Sequence, residues 1–259
     1  MERLARAARL CMIILILSST GLSEPRALSK IGEVPVVMAT SVKPQADHGF
    51  QKVNLSIDFS DYSEGPLDEW LEAKGFRPEE EVKSDGPLEL SSNEGSLILE
   101  TKGRVRRFIM NEEIQLEKFS KIRIEWGIIK YPKDASYERK VNNEALMLYI
   151  FFGYNKLSSG HLAIPNLPYF IGLFLGKEDQ INTPYEGKYF HEGGRFVCVG
   201  NPKPNETVIS EFDLITAFQT YFGKDEVPMI SGISLGVDTS SSGDEGKAAA
   251  YIQKIEFLE

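Results

Sequence analysis

The stretch that decides the fold runs from residue 230 to residue 257. It reads ISGISLGVD over residues 230–238, TSSSGDEG over residues 239–246 and AAAYIQKIEF over residues 248–257. Apolar residues alternate with small or polar ones in the first and third pieces, and a polar loop rich in Gly and Ser joins them. This pattern predicts two β-strands that pair as a closing hairpin. The stretch therefore indicates an all-β architecture and contains no catalytic motif.

Further strands repeat this alternation along the chain. The first covers residues 53–59, where Val53, Leu55, Ile57 and Phe59 alternate with polar residues, so one face is expected to be buried. The other predicted strands are 96–100, 104–110, 122–129, 145–153, 169–176, 195–199, 230–237 and 249–258. No repeat of roughly 20 to 50 residues is present, which excludes solenoids and propellers. The pattern predicts an antiparallel β-sandwich of jelly-roll type.

Two segments break the β pattern. Residues 66–74 carry apolar side chains at helical spacing and precede a glycine, which predicts a short helix. Apolar residues at helical spacing over residues 208–222 predict a second, amphipathic helix that ends at Gly223. Ser210 and Asp213 resemble a capping box at its start.

The N-terminus predicts export to the periplasm or the extracellular space. Three arginines precede an apolar run over residues 10–17, and small or polar residues follow, as in a secretory signal peptide over residues 1–23. The run is shorter than the roughly 20 apolar residues of a permanent span, so no stable membrane span is expected after cleavage. An uncleaved signal anchor is the alternative. Residues 24–50, rich in Pro, Ser, Ala and Lys, predict a linker or pro-segment, and residues 51–259 the jelly-roll domain.

Cys198 is the one cysteine that remains after the signal peptide is removed. A lone cysteine excludes an internal disulfide, so stability must come from the core. It is expected to be a small buried hydrophobe. The alternative is a nucleophile, which would need a neighbouring base such as His191 to lower its pKa.

The charge of the chain bears on its partners. A net charge of −9 at pH 7 disfavours nucleic acid, because phosphate binding needs clustered Lys and Arg. The local exception is Lys102, Arg104, Arg106 and Arg107. A solvated strand edge is the simpler interpretation of that basic cluster, so no nucleic-acid partner is expected.

Several short motifs occur in a fixed order. They are Asp58-Phe-Ser-Asp61 with Trp70 after it, YIFFG at 149–153, YFG at 221–223, ISGI at 230–233, Asp238-Thr239 and the final Ala-Tyr-Ile strand. The arrangement resembles a family of exported bacterial jelly-roll domains of unknown function, related in outline to galactose-binding-like carbohydrate-binding modules and to polysaccharide lyases. The resemblance implies the jelly-roll fold. It also implies a structural calcium where the first and last strands meet, with Asp58, Asp61 and Asp238 as candidate ligands.

Residues 185–198 hold the densest mixture of aromatic, imidazole, carboxylate and guanidinium groups. Tyr185, Tyr189 and His191 can each present a flat face and a polar tip to a sugar ring, and Arg195 can hold a uronate or sulfate through paired hydrogen bonds. The alternative is a hairpin that turns at Gly193-Gly194 and carries no ligand.

Two further positions complete the predicted groove. Glu144 stands at the mouth of the apolar strand 145–153, where it either reaches a ligand or faces solvent. Tyr169 follows a loop shaped by two prolines, of the kind that holds binding residues on a rigid scaffold. Trp126, inside the strand 122–129, is interpreted as a core residue.

The leading prediction is an exported carbohydrate-binding protein that recognises a polysaccharide or a cell-envelope glycan. The predicted groove is lined by Tyr169, Tyr185, Tyr189, His191, Arg195 and Glu144. A polysaccharide lyase or glycoside hydrolase that uses His191, a tyrosine and Glu144 is the second hypothesis. An envelope scaffold with a protein partner is the third. The sequence leaves catalysis undecided.

Overall fold

The structure is a computed structural model that describes residues 51–78, 86–162, 164–242 and 246–259. The predicted signal peptide and linker, residues 1–50, lie outside these ranges. Among the described residues, no helix has the length and apolar character needed to cross a membrane.

Thirteen named strands and two helices make up the described fold. In chain order they are β1 (Val53–Asp58), α1 (Leu67–Ala73), β2 (Arg77–Pro78), β3 (Leu88–Asn93), β4 (Ser96–Lys102), β5 (Arg106–Asn111), β6 (Lys121–Lys130), β7 (Glu144–Leu157), β8 (Leu167–Phe174), β9 (Pro184–Tyr185), β10 (Gly194–Cys198), β11 (Thr207–Asp213), α2 (Leu214–Phe222), β12 (Ile230–Asp238) and β13 (Lys247–Leu258).

The strands form two sheets. One has the order β11-β6-β13-β4-β3, with β1 also paired to β13, and the other has the order β2-β5-β12-β7-β8-β10-β9. The named strands pair antiparallel except for β8 and β10, which run parallel. The predicted all-β sandwich is therefore confirmed, with six strands in one sheet and seven in the other.

The main core lies between the two sheets. Trp126 on β6 is completely buried there, as predicted, and its indole Nε1 donates to Ser210 Oγ at 3.1 Å. Phe152 on β7 and Phe218 on α2 pack ring to ring in the same core, 4.9 Å between centroids. Each fully buried side chain of this kind stabilises the fold by roughly 1.5–3 kcal/mol.

The predicted closing hairpin is wrong, although both of its strands exist. β12 pairs with β5 and β7 in the seven-stranded sheet, whereas β13 pairs with β1, β4 and β6 in the six-stranded sheet. Ile233 and Leu235 on β12 and Ile252 on β13 all point into the same core. The two strands thus face each other across the core because each buries its apolar face against the opposite sheet.

The first predicted helix is confirmed as α1. The second helix is also present, but its predicted start is too early. Residues 207–213 form β11, which pairs with β6, and α2 starts only at Leu214. Asp213 caps α2, since its Oδ1 accepts from the Thr216 backbone N–H at 2.9 Å. The helix ends at Gly223 as predicted, in a left-handed conformation with φ of 61°.

Replacing Asp213 with alanine should lower the free energy of unfolding by about 1 kcal/mol, because the first turn of α2 loses its side-chain acceptor. Asp213→Asn should retain most of the cap's contribution to the free energy of unfolding, since asparagine also caps helices well. Urea unfolding of both variants measures the difference. Equal losses in the two variants would contradict a capping role.

Candidate functional site

The outer face of the seven-stranded sheet carries a second apolar cluster, separate from the core between the sheets. Phe108, Tyr149, Phe170 and Phe174 contribute to it from β5, β7 and β8, alternating along these strands with residues that face the main core. Loop residues such as Tyr137 pack over this surface, whereas α1 and α2 pack against the main core instead. We call this surface the outer face.

Glycines let the rings lie close to the sheet on the outer face. A Cβ on Gly236 would come within 2.6 Å of the Tyr149 ring and 3.0 Å of the Phe108 ring, and a Cβ on Gly172 within 2.5 Å of Met147 Sδ. Glycine within a strand often marks such a close approach. Gly236 of the opening sequence motif is therefore required by the packing of these rings.

Charged and phenolic side chains gather at one end of the outer face, and we call them the polar cluster: Arg106, Tyr137, Glu144, Tyr149 and Asp238. Arg106 donates to Asp238 Oδ2 from both Nε and Nη2. Tyr137 Oη donates to Glu144 Oε2 at 3.0 Å. Glu144 and Asp238 are directly paired in the register of β7 and β12, so their side chains lie side by side.

The polar cluster is strongly perturbed electrostatically. Burial raises the pKa of Glu144 well above its usual range, and the Asp238 carboxylate raises it further. Burial lowers the pKa of Arg106. The charge and the hydrogen bonds of Asp238 together outweigh burial, so the pKa of Arg106 is raised overall. Burial therefore favours the neutral form of Glu144 beside the Arg106–Asp238 ion pair. Perturbed ionisable groups within an apolar surface mark a candidate functional site.

Two amide atoms beside the polar cluster have no hydrogen-bond partner. They are Asn142 Oδ1 and Asn143 Nδ2, and both are buried. Asn143 is only 3% exposed, and its Oδ1 accepts from the Ser241 backbone N–H at 3.2 Å. Buried polar atoms in proteins are paired in the large majority of cases, so these two atoms next to Glu144 in the sequence keep an unused capacity for hydrogen bonds.

The structure brings part of the predicted groove together on the outer face. The Tyr137 ring lies 5.6 Å from the Tyr185 ring, centroid to centroid, and Tyr137 also reaches Glu144. Tyr185 Oη donates to Glu138 Oε1 at 3.2 Å. Tyr189 packs against the same apolar cluster. Three of the six predicted residues thus share this surface.

The other three predicted residues lie near the starts of β8 and β10, where Tyr169 and Arg195 are on the side of the sheet that contacts α2. Tyr169 and Arg195 both contact Phe222 of α2, with the Tyr169 ring 4.8 Å and the Arg195 guanidinium carbon 5.4 Å from its centroid. Arg195 donates to the His191 carbonyl at 2.7 Å and pairs with Glu186 at 3.3 Å. The His191 side chain is 61% exposed. We call these residues the edge group.

The edge group and Glu144 are too far apart to act on one bond. Gly194 of β10 and Phe151 of β7 are both paired with Phe170 of β8, the strand between them. Phe151 is seven residues along β7 from Glu144. At about 3.3 Å per residue this separation is on the order of 20 Å. His191 and Glu144 therefore do not form the acid–base pair of the predicted lyase. Glu186, 3.5 Å from His191 Nδ1, belongs to the distant edge group as well.

Cys198 is completely buried, which confirms the interpretation as a core residue. Its thiol donates to the Gly200 carbonyl at 3.3 Å. Burial raises the pKa of Cys198 to about 11. The sulfur is thus a protonated thiol at neutral pH, not the thiolate that a nucleophile requires.

The three aspartates predicted as calcium ligands are not brought together. Asp58 Oδ1 accepts from the Ser60 backbone N–H at 2.8 Å, Asp61 pairs with Lys74 at 2.7 Å, and Asp238 pairs with Arg106 in the other sheet. Over the described ranges, no group of three or more His, Cys, Asp or Glu residues could hold a metal ion. Calcium stays a prediction of the sequence, and these three residues do not form a site for it.

Sequence reasoning picked out Asn142-Asn143 together with Glu144 but missed two contributors to this site, Tyr137 and Arg106. Arg106 was assigned to a solvated strand edge, yet its side chain is only 22% exposed. The available signal was its alternation with Phe108 and Met110, which places all three on one face of β5. Tyr137 lies in a loop outside any periodic segment, so the sequence carries no comparable signal for it.

Comparison with known proteins adds little. No protein-family model matches the chain, and no curated protein matches it in sequence. Among solved structures, two forms of the Emp46p carbohydrate recognition domain match 80% of this chain and 97% of theirs, a mutant at 10% identity and the metal-free form at 12%. The TM-score is 0.39 in both cases, which is too low to bear on the function of this chain.

Proposed function

We propose that this protein binds a glycan on the outer face, at the polar cluster. The observation that carries the proposal is the pair of unpaired buried amide atoms, Asn142 Oδ1 and Asn143 Nδ2, beside Glu144. Sugar hydroxyls both donate and accept, so they can pair with an amide oxygen and with an amide N–H. Burial favours the protonated form of the Glu144 carboxyl, and that form also has both capacities.

Aromatic rings beside these polar atoms supply the apolar part of the site. Tyr137 stacks on Phe174 with centroids 4.4 Å apart and planes at 27°, and it also contacts Tyr185 and Phe196. Of these rings, Tyr185 and Phe196 are partly exposed and offer flat faces to the C–H surface of a sugar. Because their neighbours already hold them in place, little side-chain entropy would be lost on binding.

The edge group is not included in the proposed site. The Arg195 guanidinium already donates to the carbonyls of His191 and Gly194, pairs with Glu186 and lies over Phe222. These contacts explain its position without a ligand. The predicted signal peptide makes a polysaccharide or cell-envelope glycan outside the cytoplasm the expected ligand class.

Replacing Asn142 with alanine should weaken glycan binding about fivefold or more and leave the free energy of unfolding unchanged or higher. The substitution removes an unpaired buried oxygen, which costs the fold nothing, whereas the bound sugar loses a hydrogen bond worth about 1 kcal/mol or more. A glycan array first identifies a ligand. Calorimetric titration and thermal unfolding of the variant then measure affinity and stability.

The matched control is Asn155→Ala, since Asn155 is exposed on β7, eleven residues along the strand from Glu144. It should change neither quantity. A destabilised Asn142→Ala with normal binding would show that Asn142 is structural. If the wild-type protein bound no glycan at all, the proposal would fail and a protein partner would become the better hypothesis.

A further inference from the structure

The loop that joins β6 to β7, residues 131–143, carries Tyr137, Asn142 and Asn143 of the proposed glycan site. We call it the binding loop. We infer that Asp179, which lies on a different loop, is a positioning residue that holds these three side chains in place for the glycan. The inference rests on the proposed function.

The middle of the binding loop is a small hairpin held by its own backbone hydrogen bonds. Ser136 and Val141 exchange two such bonds, each of 2.9 Å. The Asn143 N–H then donates to the Val141 carbonyl at 2.9 Å. The hairpin is thus a compact unit, and a shift at Tyr137 moves Asn142 and Asn143 with it.

Asp179 ties this hairpin to the loop that follows β8. Its Oδ1 accepts from the Tyr137 backbone N–H at 2.7 Å, from the Ser136 hydroxyl at 3.3 Å and from the Glu138 backbone N–H at 3.5 Å. Asp179 is only 5% exposed. A buried carboxylate is costly unless it is hydrogen-bonded, so displacing the hairpin would leave this carboxylate without these donors.

The loop that carries Asp179 is itself bonded to the end of β10. The Gly176 N–H donates to the Gly200 carbonyl at 3.0 Å, and the Asn182 N–H donates to the Cys198 carbonyl at 2.8 Å. These two bonds lie on either side of Asp179 in the sequence. Asp179 therefore connects the hairpin to the framework of the seven-stranded sheet.

Tyr137 passes this anchorage on to the polar cluster. Its backbone is held by Asp179, its ring stacks on Phe174 with centroids 4.4 Å apart, and its hydroxyl donates to Glu144 at 3.0 Å. A glycan that needs the positioned loop binds only the molecules in which the loop is in place. Its apparent affinity therefore falls in proportion to the fraction of such molecules.

Replacing Asp179 with alanine should weaken glycan binding about tenfold, because the loop loses its charge-assisted hydrogen bond and populates other positions. Asp179→Asn should retain most of the affinity, since the amide oxygen still accepts from the Tyr137 N–H. The probe is the oligosaccharide that binds the wild type most tightly on the glycan array. Calorimetric titration measures its affinity for each variant.

Glu178→Ala is the matched control. Glu178 precedes Asp179 and lies 3.3 Å from Arg139 of the same binding loop, but both of these side chains are more than half exposed. Exposed ion pairs contribute little, so this variant should change the affinity about twofold or less.

Amide hydrogen exchange measures the position of the loop without any glycan. In Asp179→Ala, the N–H groups of Val141 and Asn143 should exchange about tenfold faster, whereas those of Ile150 on β7 and Leu173 on β8 should keep their wild-type rates. A merely structural role would instead speed exchange in the strands as well and lower the free energy of unfolding, without a selective loss of affinity.

The outcomes separate this inference from the proposed function. Wild-type affinity in Asp179→Ala would overturn the inference and leave glycan binding intact. Equal losses of affinity in Asp179→Ala and Glu178→Ala, or unchanged exchange at Val141 and Asn143, would overturn it too. A blank glycan array would overturn the proposed function and with it the effect on affinity, and hydrogen exchange alone would then decide whether Asp179 holds the binding loop.

Discussion

Replacing Arg106 with methionine should lower the free energy of unfolding by about 3–5 kcal/mol. The variant keeps the apolar stem but leaves the Asp238 carboxylate buried and unpaired, with its side chain only 8% exposed. A buried charge without a partner is among the most destabilising changes in a protein core. Urea unfolding at pH 7 measures the loss.

Two further variants test the cause. Arg106→Met combined with Asp238→Asn should recover much of the stability, because no buried charge remains. Arg123→Met removes a guanidinium that pairs with Glu211 and Glu256 on the six-stranded sheet, where it is 31% exposed, and should cost about 1 kcal/mol. A loss in Arg106→Met no larger than in Arg123→Met would show that water reaches Asp238 in the folded protein.

Replacing Glu144 with glutamine should stabilise the protein at neutral and alkaline pH. The folded-state pKa of Glu144 lies well above 4.5, the ordinary value, because the carboxyl is buried and faces Asp238. Between 4.5 and that raised pKa, the folded protein holds a proton that the unfolded chain releases. Stability from this group is complete below the unfolded pKa and falls as pH rises, by up to about 1.4 kcal/mol per pH unit.

Glu144→Gln removes that dependence while the glutamine oxygen still accepts from Tyr137 Oη. The advantage of the variant over the wild type should grow with pH, measured by urea unfolding at intervals from about pH 5 to about pH 8. Glu256→Gln is a control of opposite sign. Although burial raises the pKa of Glu256, Lys254 and Arg123 outweigh it and lower the pKa, so stability from Glu256 is lost as pH falls. An unchanging difference between wild type and Glu144→Gln would show that Glu144 is ionised when folded.

Half of the predicted groove lies on the outer face, and the reason is geometric. Tyr185 and Glu144 were chosen for their chemistry, and the structure connects them through Tyr137, a loop residue without a periodic signal. Arg195 follows Tyr185 closely in sequence, yet its side chain contacts Phe222 of α2 on the other side of the sheet, whereas the next residue, Phe196, packs on the outer face. Side chains alternate between the two faces of a strand, so neighbours in sequence are divided between the faces.

Several elements escaped prediction for related reasons. β2 and β9 are two residues each, too short to show any alternation. In β11, Val208, Ser210 and Phe212 alternate properly, but apolar positions continue into α2 at spacings that also fit a helix. Where a strand runs directly into a helix, local periodicity cannot locate the boundary between the two elements.

The amino-acid sequence by itself determined the fold class, the location of most long strands, the burial of Trp126 and Cys198, and the end of α2 at Gly223. These depend on local periodicity, residue size and backbone preference, which a single segment carries. Tertiary structure alone decided that β12 and β13 lie in different sheets, that Arg106 pairs with Asp238 although they are 132 residues apart in the sequence, and that Glu144 is buried with a raised pKa. Strand pairing and the local dielectric depend on contacts between segments far apart in the chain, and no single segment contains that information.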